Sequence, residues 1–411
     1  MNEIVCGKCN KTWYVKESDF GKLTRCPYCG EIIDPLLTRT EDILQGIFLL
    51  IRNKGEELAN NKCRFFEDLM KIVPGSEEIE RILRIIRIEK KVISDFGNDD
   101  KDYTQEEMYN RGLDYYNGKD VPVSYDKAYK WFIKAAELGY PKAQCSVGKL
   151  YECGKGVMQS YEEAKVWYTK AAFQEEMSAQ FYLGRLYERG KGGTQSYKKA
   201  ASWYKKSSDK GCVEAQHCLG ILYLNGLGVN QSDKQAAKLF RKAAVEGYAR
   251  AQLDLGTLYD KGRGVPQSKE EAIKLYVKAA KQQNAEAQFK LGFAYDIGSG
   301  VPQSKEEAFK LYIKAAEQGY VEAQIFIGYM YKRGDGIKQS SEKAAKWFIK
   351  AAEQGNAEAM CNVGMAYQFG DGLQKSNEEA LKWYEYAVEH GYGKAQTYIT
   401  YLKVEEFNQD K

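Results

Sequence analysis

The stretch VPQSKEEAIKLYVKAA at residues 265–280 recurs almost unchanged as VPQSKEEAFKLYIKAA at residues 301–316, 36 positions later. Steps of 36 residues from Gly292 in either direction reach a glycine each time, and a tyrosine follows three residues after it. These glycines are Gly112, Gly148, Gly184, Gly220, Gly256, Gly292, Gly328 and Gly364. A fixed period of this length is the signature of a repeat protein, so the sequence predicts eight units in one register.

The second half of each unit has the pattern of an amphipathic helix. Ser268 is a preferred N-cap residue, and Glu271 three residues later predicts a capping box. The same pairing recurs at Ser160 with Glu163, Ser304 with Glu307 and Ser376 with Glu379. Behind the cap, an apolar stripe at helical spacing consists of Ala272, Leu275, Tyr276 and Ala279.

A glycine follows most of these second helices, as the left-handed residue that ends many helices. We expect this role for Gly139, Gly211, Gly247, Gly319, Gly355 and Gly391. Glu175 and Gln283 occupy the same position in two units and depart from the pattern.

The first half of each unit is a second type of helix, with the sequence AEAQFKLGFAYDIG at residues 285–298. Gly292 lies in its middle, where a glycine costs about 1 kcal/mol relative to alanine. A glycine kept at this position in eight units predicts that a neighbouring helix approaches too closely for a side chain.

The unit AxAQxxLGxxYxxGxGVxxSxxxAxxWYxKAAxxG resembles the Sel-one-like repeat, a relative of the tetratricopeptide repeat, over residues 104–411. The resemblance implies an all-α fold, a right-handed α-solenoid of stacked antiparallel helix pairs that acts as an adaptor between proteins. Stacking suits the physics, because one helix pair cannot bury its own apolar stripe. Residues from Ala395 onward begin a ninth first helix without its glycine, which we interpret as a C-terminal cap.

The glycine-rich loops GKGV, GLGV, GRGV and GSGV begin at Gly154, Gly226, Gly262 and Gly298. Such loops can bind phosphate through backbone amides at a helix start. Here no strand precedes the loop and no P-loop lysine follows it, so we interpret these glycines as turns between helices.

The second motif is a pair of CxxC sequences, CGKC at Cys6 and Cys9 and CPYC at Cys26 and Cys29. Their spacing is typical of a tetrahedral four-thiolate zinc site, and a site with all four positions filled is structural. The segment KTWYVKESDF and the segment KLTR can supply short strands. Residues 1–34 therefore resemble a small zinc ribbon, a class that binds nucleic acid or protein or only stabilises a chain end. A redox dithiol is the competing interpretation.

Residues 41–96 have the pattern of two or three amphipathic helices, and residues 97–103 are the candidate linker to the repeats. Arg81, Arg84 and Arg87 in this segment are compatible with nucleic-acid binding. Glu77 and Glu80, four residues before Arg81 and Arg84, favour an ordinary salt-paired face.

Composition and motifs argue against two classes of function. The net charge of only +4 gives no global electrostatic signature of a nucleic-acid binder, and the two histidines, His217 and His390, lie in no recognisable catalytic motif. The start, MNEIVCGKCN, lacks the pattern of a signal peptide, and the longest apolar run is IFLLI at residues 47–51. We expect a soluble cytoplasmic protein that is not an enzyme.

Function is expected where the repeat varies, since the constant positions serve packing. The residue after the first-helix glycine changes from Lys149 and Thr257 to Phe293 and Tyr329. The resemblance implies that first helices line the concave face, so we predict a groove for a protein partner there. Its residues are Phe293, Ile297, Phe326, Tyr329, Met365 and Phe369. The alternative is that several of these side chains pack between units.

Two other functions stay open. A nucleic-acid-binding regulator would use the zinc ribbon, and binding would depend strongly on salt. Some secreted cysteine-rich proteins with these repeats bind or hydrolyse β-lactams, but their units each carry a disulfide pair, a pattern absent from this sequence. A protein-interaction scaffold is the function that the sequence favours.

Overall fold

The computed structural model describes the backbone of residues 2–5, 12–15, 24–25, 32–33 and 103–409, and the side chains of residues 103–405. The four cysteines of the predicted zinc site, the segment 41–96 and most of the linker lie outside the described residues. Contacts divide the chain into two compact units, Met1–Cys212 and Val213–Lys411.

The first unit begins with two short antiparallel hairpins. In the first, Asn2–Val5 (β1) pairs with Thr12–Val15 (β2), and Val5 lies opposite Thr12. In the second, Thr24–Arg25 (β3) pairs with Ile32–Ile33 (β4), and Arg25 lies opposite Ile32. Strands β2 and β3 lie within the two segments that the sequence analysis proposed for short strands.

Three helix pairs, repeats one to three, follow in the first unit. Their helices are Gln105–Asn117 (α1), Tyr125–Glu137 (α2), Pro141–Cys153 (α3), Tyr161–Phe173 (α4), Met177–Arg189 (α5) and Tyr197–Asp209 (α6). Each helix is 13 residues long and recurs at the 36-residue period. Consecutive helices pack on one another, so each pair completes the core of its neighbour.

The second unit continues the same register with five helix pairs, repeats four to eight, and one further helix. The helices are Val213–Asn225 (α7), Asp233–Val245 (α8), Ala249–Lys261 (α9), Lys269–Lys281 (α10), Ala285–Ile297 (α11), Lys305–Glu317 (α12), Val321–Arg333 (α13), Ser341–Glu353 (α14), Ala357–Phe369 (α15), Asn377–Glu389 (α16) and Ala395–Gln409 (α17). Helix α17 buries Ala395, Ile399 and Leu402 against the last repeat. For residues 103–409, the predicted all-helical fold of eight repeated helix pairs is confirmed.

A serine begins every second helix as predicted. At Ser268, the hydroxyl oxygen accepts a hydrogen bond from the backbone N–H of Glu271 at 3.2 Å. The capping box predicted there does not form, because the N–H of Ser268 already donates to the carbonyl of Tyr259 in the preceding helix. The carboxylate of Glu271 accepts from Lys274 instead. A complete capping box is present instead at the start of the first helix α1, between Thr104 and Glu107.

The two non-glycine residues that follow second helices, Glu175 and Gln283, adopt the same left-handed conformation as the glycines, with φ of 64° and 61°. The geometry of the junction is therefore kept in these repeats although the residue that best suits it is absent.

The mid-helix glycine makes room for an aromatic ring of the second helix. A Cβ atom at Gly220 would lie 2.5 Å from the ring of Phe240, and one at Gly364 would lie 2.7 Å from the ring of Tyr384. Corresponding contacts of 2.4–2.9 Å recur in all eight repeats. The close approach predicted from the sequence is confirmed, and its partner is a large buried ring.

The glycine-rich loops also serve packing. A Cβ atom at Gly372, in the loop of repeat eight, would lie 2.2 Å from the backbone oxygen of Ser341 at the start of α14. The loop therefore lies directly against the preceding repeat, which explains why its second glycine recurs without any need for a phosphate ligand.

The aromatic residue that packs on the glycine is a tyrosine in some repeats and a phenylalanine in others. The choice correlates with the residue sixteen positions earlier, which can accept a hydrogen bond from a tyrosine hydroxyl in some repeats and not in others. The hydroxyls of Tyr168 and Tyr204 donate to Glu152 and Glu188 at 2.8 and 2.5 Å, and Tyr384 donates to Gln368 at 2.6 Å. Where that position is Leu224 or Lys332, the aromatic residue is Phe240 or Phe348. In repeat six the residue at that position is the shorter Asp296, which pairs with Lys305, and the buried hydroxyl of Tyr312 has no partner.

A buried seam of glutamines joins successive helices. In repeat six, Gln288 donates to the carbonyl of Ala280 at 3.3 Å and accepts from Gln318 at 2.8 Å. Each such glutamine thereby connects three helices, two of its own repeat and one of the preceding repeat. The glutamine seam consists of the pairs Gln144–Gln174, Gln252–Gln282, Gln288–Gln318 and Gln324–Gln354.

Candidate protein-interaction face

The residues at positions 2, 6, 9 and 13 of each first helix share one side of that helix, because their spacing of four, three and four residues follows the helical period. We call the surface that they form the variable face. In repeats six to eight it consists of Glu286, Lys290, Phe293, Ile297, Glu322, Phe326, Tyr329, Arg333, Glu358, Asn362, Met365 and Phe369. All six side chains of the predicted groove lie on it.

Phe293 and Phe326 contact each other across neighbouring repeats. Their rings are 6.2 Å apart in an edge-to-face arrangement, and Phe293 is 41% exposed. Phe326 is half-buried and also packs on Phe289 and Tyr312, with ring centroids 5.3 Å apart in each case. Phe326 is thus fixed by packing on three other rings, while Phe293 is exposed to solvent.

Tyr329 is held between repeats seven and eight by polar contacts. Its hydroxyl donates to Glu358 at 2.7 Å and accepts from the side-chain amide of Asn362 at 2.9 Å. The ring packs edge-to-face on Phe348, 5.2 Å away. Burial, together with the hydrogen bond to Glu358, raises the pKa of Tyr329 to about 12, so the phenol stays neutral and can keep donating.

The remaining three residues of the predicted groove differ in exposure. Met365 is half-buried against the core of the last repeats. Ile297 and Phe369, each the last residue of its first helix, are 55% and 61% exposed. Phe293, Ile297 and Phe369 therefore offer apolar surface, whereas Phe326, Tyr329 and Met365 mainly pack within and between repeats.

The variable face of repeats two and three has a different character. Tyr182 contacts two cations, with the Lys149 ammonium 4.7 Å and the Arg185 guanidinium 4.8 Å from its ring centroid, and its ring is stacked on that of Tyr168. Arg185 pairs with Glu152 at 2.6 Å, and Glu152 also accepts from the hydroxyl of Tyr168 at 2.8 Å. The result is a fixed cationic and aromatic cluster.

His217, one of the two histidines that lie in no recognisable catalytic motif, links two repeats. Its Nε2 lies 2.7 Å from a carboxylate oxygen of Asp254, and its ring packs on Phe240 and Tyr248. The side chain is only 13% exposed. This geometry describes a structural contact between the first helices of repeats four and five.

Within residues 103–405, no group of three or more histidine, cysteine, aspartate or glutamate side chains is placed to hold a metal ion. In the same part of the chain, Cys145, Cys153 and Cys361 are free thiols, and burial raises the pKa of Cys361 to about 11. None of the helices that the structure describes is both long and apolar enough to cross a membrane.

Reading the sequence did not identify several residues of the variable face. Glu358 and Asn362 orient Tyr329, and Tyr182 holds two cations in place. These residues could have been found from the 36-residue period, which places Tyr182 at the same position of the repeat as Phe326 and Asn362. The sequence-based prediction started from the residue after the glycine and added only apolar and aromatic neighbours in repeats six to eight, so it left out the polar and cationic positions of this surface.

Comparison with known proteins gives one family. A family model of the Sel1 repeat matches eight segments: residues 108–140, 141–172, 178–212, 213–248, 249–284, 285–320, 321–356 and 357–392. None of the curated proteins compared with the chain matches it.

Two solved structures are similar over long stretches. A Sel1 repeat protein from Oxalobacter formigenes is 33% identical, with a TM-score of 0.55, over 59% of this chain and 96% of that chain. A protective antigen present in uropathogenic Escherichia coli strains and displaying an SLR fold is 29% identical, with a TM-score of 0.53, over 81% of each chain.

Proposed function

Because the chain belongs to the Sel1 repeat family, we propose that it is a non-catalytic scaffold that binds protein partners through the concave face formed by its first helices. Sel1 repeat proteins have a helical solenoid fold and generally bind protein partners. The observation that carries the proposal is the exposure of Phe293, Ile297 and Phe369 on the variable face of repeats six to eight.

Exposed aromatic side chains on a rigid support suit protein recognition. Removing a large apolar ring from water contributes most of the binding free energy at many interfaces, and aromatic and methionine side chains are enriched there. Phe293 rests edge-to-face on Phe326, so little conformational entropy is lost when a partner covers it. Tyr329 is held by Glu358 and Asn362, and its fixed ring extends this surface towards repeat eight.

The test is binding by purified variants of a partner that has first been captured with the full chain and identified. Phe293→Ala is expected to weaken its affinity about tenfold or more, as at an interface hot spot. Val245→Ala is the matched control, because Val245 is an apolar side chain 78% exposed on a second helix of the same unit. Circular dichroism should show unchanged helix content for both variants. Equal affinities of the wild-type chain and Phe293→Ala would contradict the proposal.

The N-terminal segment completes the proposed molecule as a structural zinc ribbon in a cytoplasmic protein. Each CxxC motif begins at the residue that follows the first strand of a hairpin, after Val5 in one case and after Arg25 in the other. Residues 6–11 and 26–31 therefore connect their strands over equal lengths, and each segment carries its cysteines at the first and fourth positions.

Two equivalent connections with paired thiolates fit a tetrahedral zinc ion, which Cys6, Cys9, Cys26 and Cys29 would hold. Bound zinc would supply folding free energy to a segment too short for a sizeable core. Metal analysis of the purified chain should find one zinc ion, and Cys26→Ser should lose it. A folded wild-type chain prepared without chelator and free of zinc would refute the site.

A further inference from the structure

The variable face of repeats two and three carries cations without acids. Its eight positions hold Lys142, Ser146, Lys149, Cys153, Ser178, Tyr182, Arg185 and Arg189. In repeats six to eight, by contrast, the second position is a glutamate each time, as Glu286, Glu322 and Glu358. The two regions of the variable face are therefore suited to partners of different charge.

Lys149 is the central residue of this cationic surface. It is partly buried, and within the described residues it forms no ion pair. The titratable groups that interact with it most strongly are the thiol of Cys145 and the phenols of Tyr109 and Tyr182. Burial raises the pKa of Cys145 and of Tyr109, so both are neutral at pH 7 and leave the ammonium uncompensated.

Arg185 supplies a second donor set beside the same ring. Glu152 engages one end of its guanidinium at 2.6 Å, while the buried Nε–H has no hydrogen-bond partner. The glutamate and Tyr182 hold the guanidinium in place, which reduces the entropy lost when another acceptor binds. Lys149 and Arg185 thus both lie beside one aromatic ring, 4.7 and 4.8 Å from its centroid, and Lys149 forms no ion pair within the described residues.

We propose that the variable face of repeats two and three is a second docking site that binds a glutamate- or aspartate-containing peptide of a partner protein. A carboxylate pairs with Lys149 next to the Tyr182 ring, and an apolar or aromatic residue of the peptide packs against the exposed part of that ring, one face of which is stacked on Tyr168. Charge-assisted hydrogen bonds of this kind are about twice as strong as neutral ones.

A peptide fits this surface better than a nucleic acid does. Glu152 and Glu188 occupy the twelfth positions of α3 and α5, Glu152 pairs directly with Arg185, and both carboxylates would repel a continuous row of phosphates. Strong nucleic-acid binding needs many phosphate contacts, whereas this surface offers few cations around one aromatic ring. Discrete carboxylates separated by apolar residues match that arrangement.

The test is fluorescence anisotropy of the full chain with a short labelled peptide that alternates glutamate with phenylalanine and alanine. Its matched partner carries glutamine in place of every glutamate and should bind at least about fivefold more weakly. Lys149→Met keeps the aliphatic stem and removes the charge, and it should weaken binding of the glutamate peptide by a similar factor. Lys149→Arg, which retains the charge, should restore most of the affinity.

Lys205→Met is the control variant, because Lys205 is an exposed lysine on the second helix of repeat three. It should bind like the wild-type chain, and so should Phe293→Ala, which separates this site from the groove of repeats six to eight. Equal binding of the two peptides, or equal loss in Lys149→Met and Lys205→Met, would overturn the proposal. Binding of a single-stranded RNA in place of the glutamate peptide, lost in Lys149→Met, would overturn it in favour of phosphate recognition.

Discussion

The glutamine seam is complete in repeats five to seven and interrupted in repeats three and four. In repeat six, Gln318 donates to Gln288, whereas in repeat four Glu246 occupies the donor position and Gln216 Oε1 is left without a partner. In repeat three, Lys210 occupies the donor position, but its ammonium donates to Glu175. Gln180 Oε1 is therefore also left without a partner. The helices have the same length and register in all five repeats.

The comparison of repeats with a complete and an interrupted glutamine seam distinguishes two kinds of interaction within one repeat. The mid-helix glycine and the aromatic ring that packs on it determine how closely the two helices of a repeat approach, and both are present in all eight repeats. The glutamines satisfy buried polar atoms, and their replacement leaves the fold unchanged at a cost of about 1–3 kcal/mol for each unsatisfied group. The apolar contacts thus specify the solenoid, while the polar seam adjusts the stability of individual repeats.

The largest effect is expected from breaking the invariant contact. Gly364→Ala would place a Cβ atom 2.7 Å from the Tyr384 ring, which is fully buried and cannot move aside freely. We expect a loss of about 2–3 kcal/mol, as for other overpacked cores, although alanine is the better helix former by about 1 kcal/mol. The urea midpoint measured by circular dichroism should fall. A rise in the midpoint would show that helix propensity outweighs the contact.

An exchange of residues between repeats tests the seam itself. Gln318→Glu introduces the residue of repeat four into repeat six and should cost about 1–2 kcal/mol, since Gln288 Oε1 loses its donor. The reciprocal Glu246→Gln supplies a donor to Gln216 and should stabilise the chain by about 1 kcal/mol.

Hydrogen exchange is the suitable measurement for this pair, because it reports the opening of individual repeats in a repeat protein. Protection should fall in repeat six of the first variant and rise in repeat four of the second. If protection rose in both variants or fell in both, the glutamines would act through side-chain size or charge and not through their hydrogen bonds.

The smallest effect concerns the tyrosine hydroxyls. Tyr312→Phe removes a buried hydroxyl that has no partner and should stabilise the chain by up to about 1 kcal/mol. Tyr384→Phe, the matched variant, removes a hydroxyl that donates to Gln368 at 2.6 Å and should destabilise by about 1 kcal/mol. Thermal midpoints of the two variants should therefore move in opposite directions. A loss of stability in Tyr312→Phe would show that a water molecule or a side-chain rearrangement satisfies this hydroxyl.

The sequence predicted the repeats better than the contacts between them. Ser268 was correctly identified as an N-cap, but Glu271 was wrongly assigned to a capping box, because the competing acceptor for the serine N–H comes from Tyr259 in another helix. That the predicted groove binds a partner stays a prediction. Its residues divide into the exposed Phe293, Ile297 and Phe369 and the largely packed Phe326, Tyr329 and Met365, a division that depends on neighbouring repeats.

By itself, the sequence determined the period, the helices and the glycine contact, because helix formation and close approach follow from residue type and spacing along one stretch of chain. Only the tertiary structure decided which polar atoms are satisfied. Gln216 and Gln288 occupy the same position of the repeat, yet one lacks a partner for its oxygen because residue 246 is a glutamate where residue 318 is a glutamine. Hydrogen bonds depend on pairs of atoms within about 3 Å, and such pairs form only when separate helices pack together.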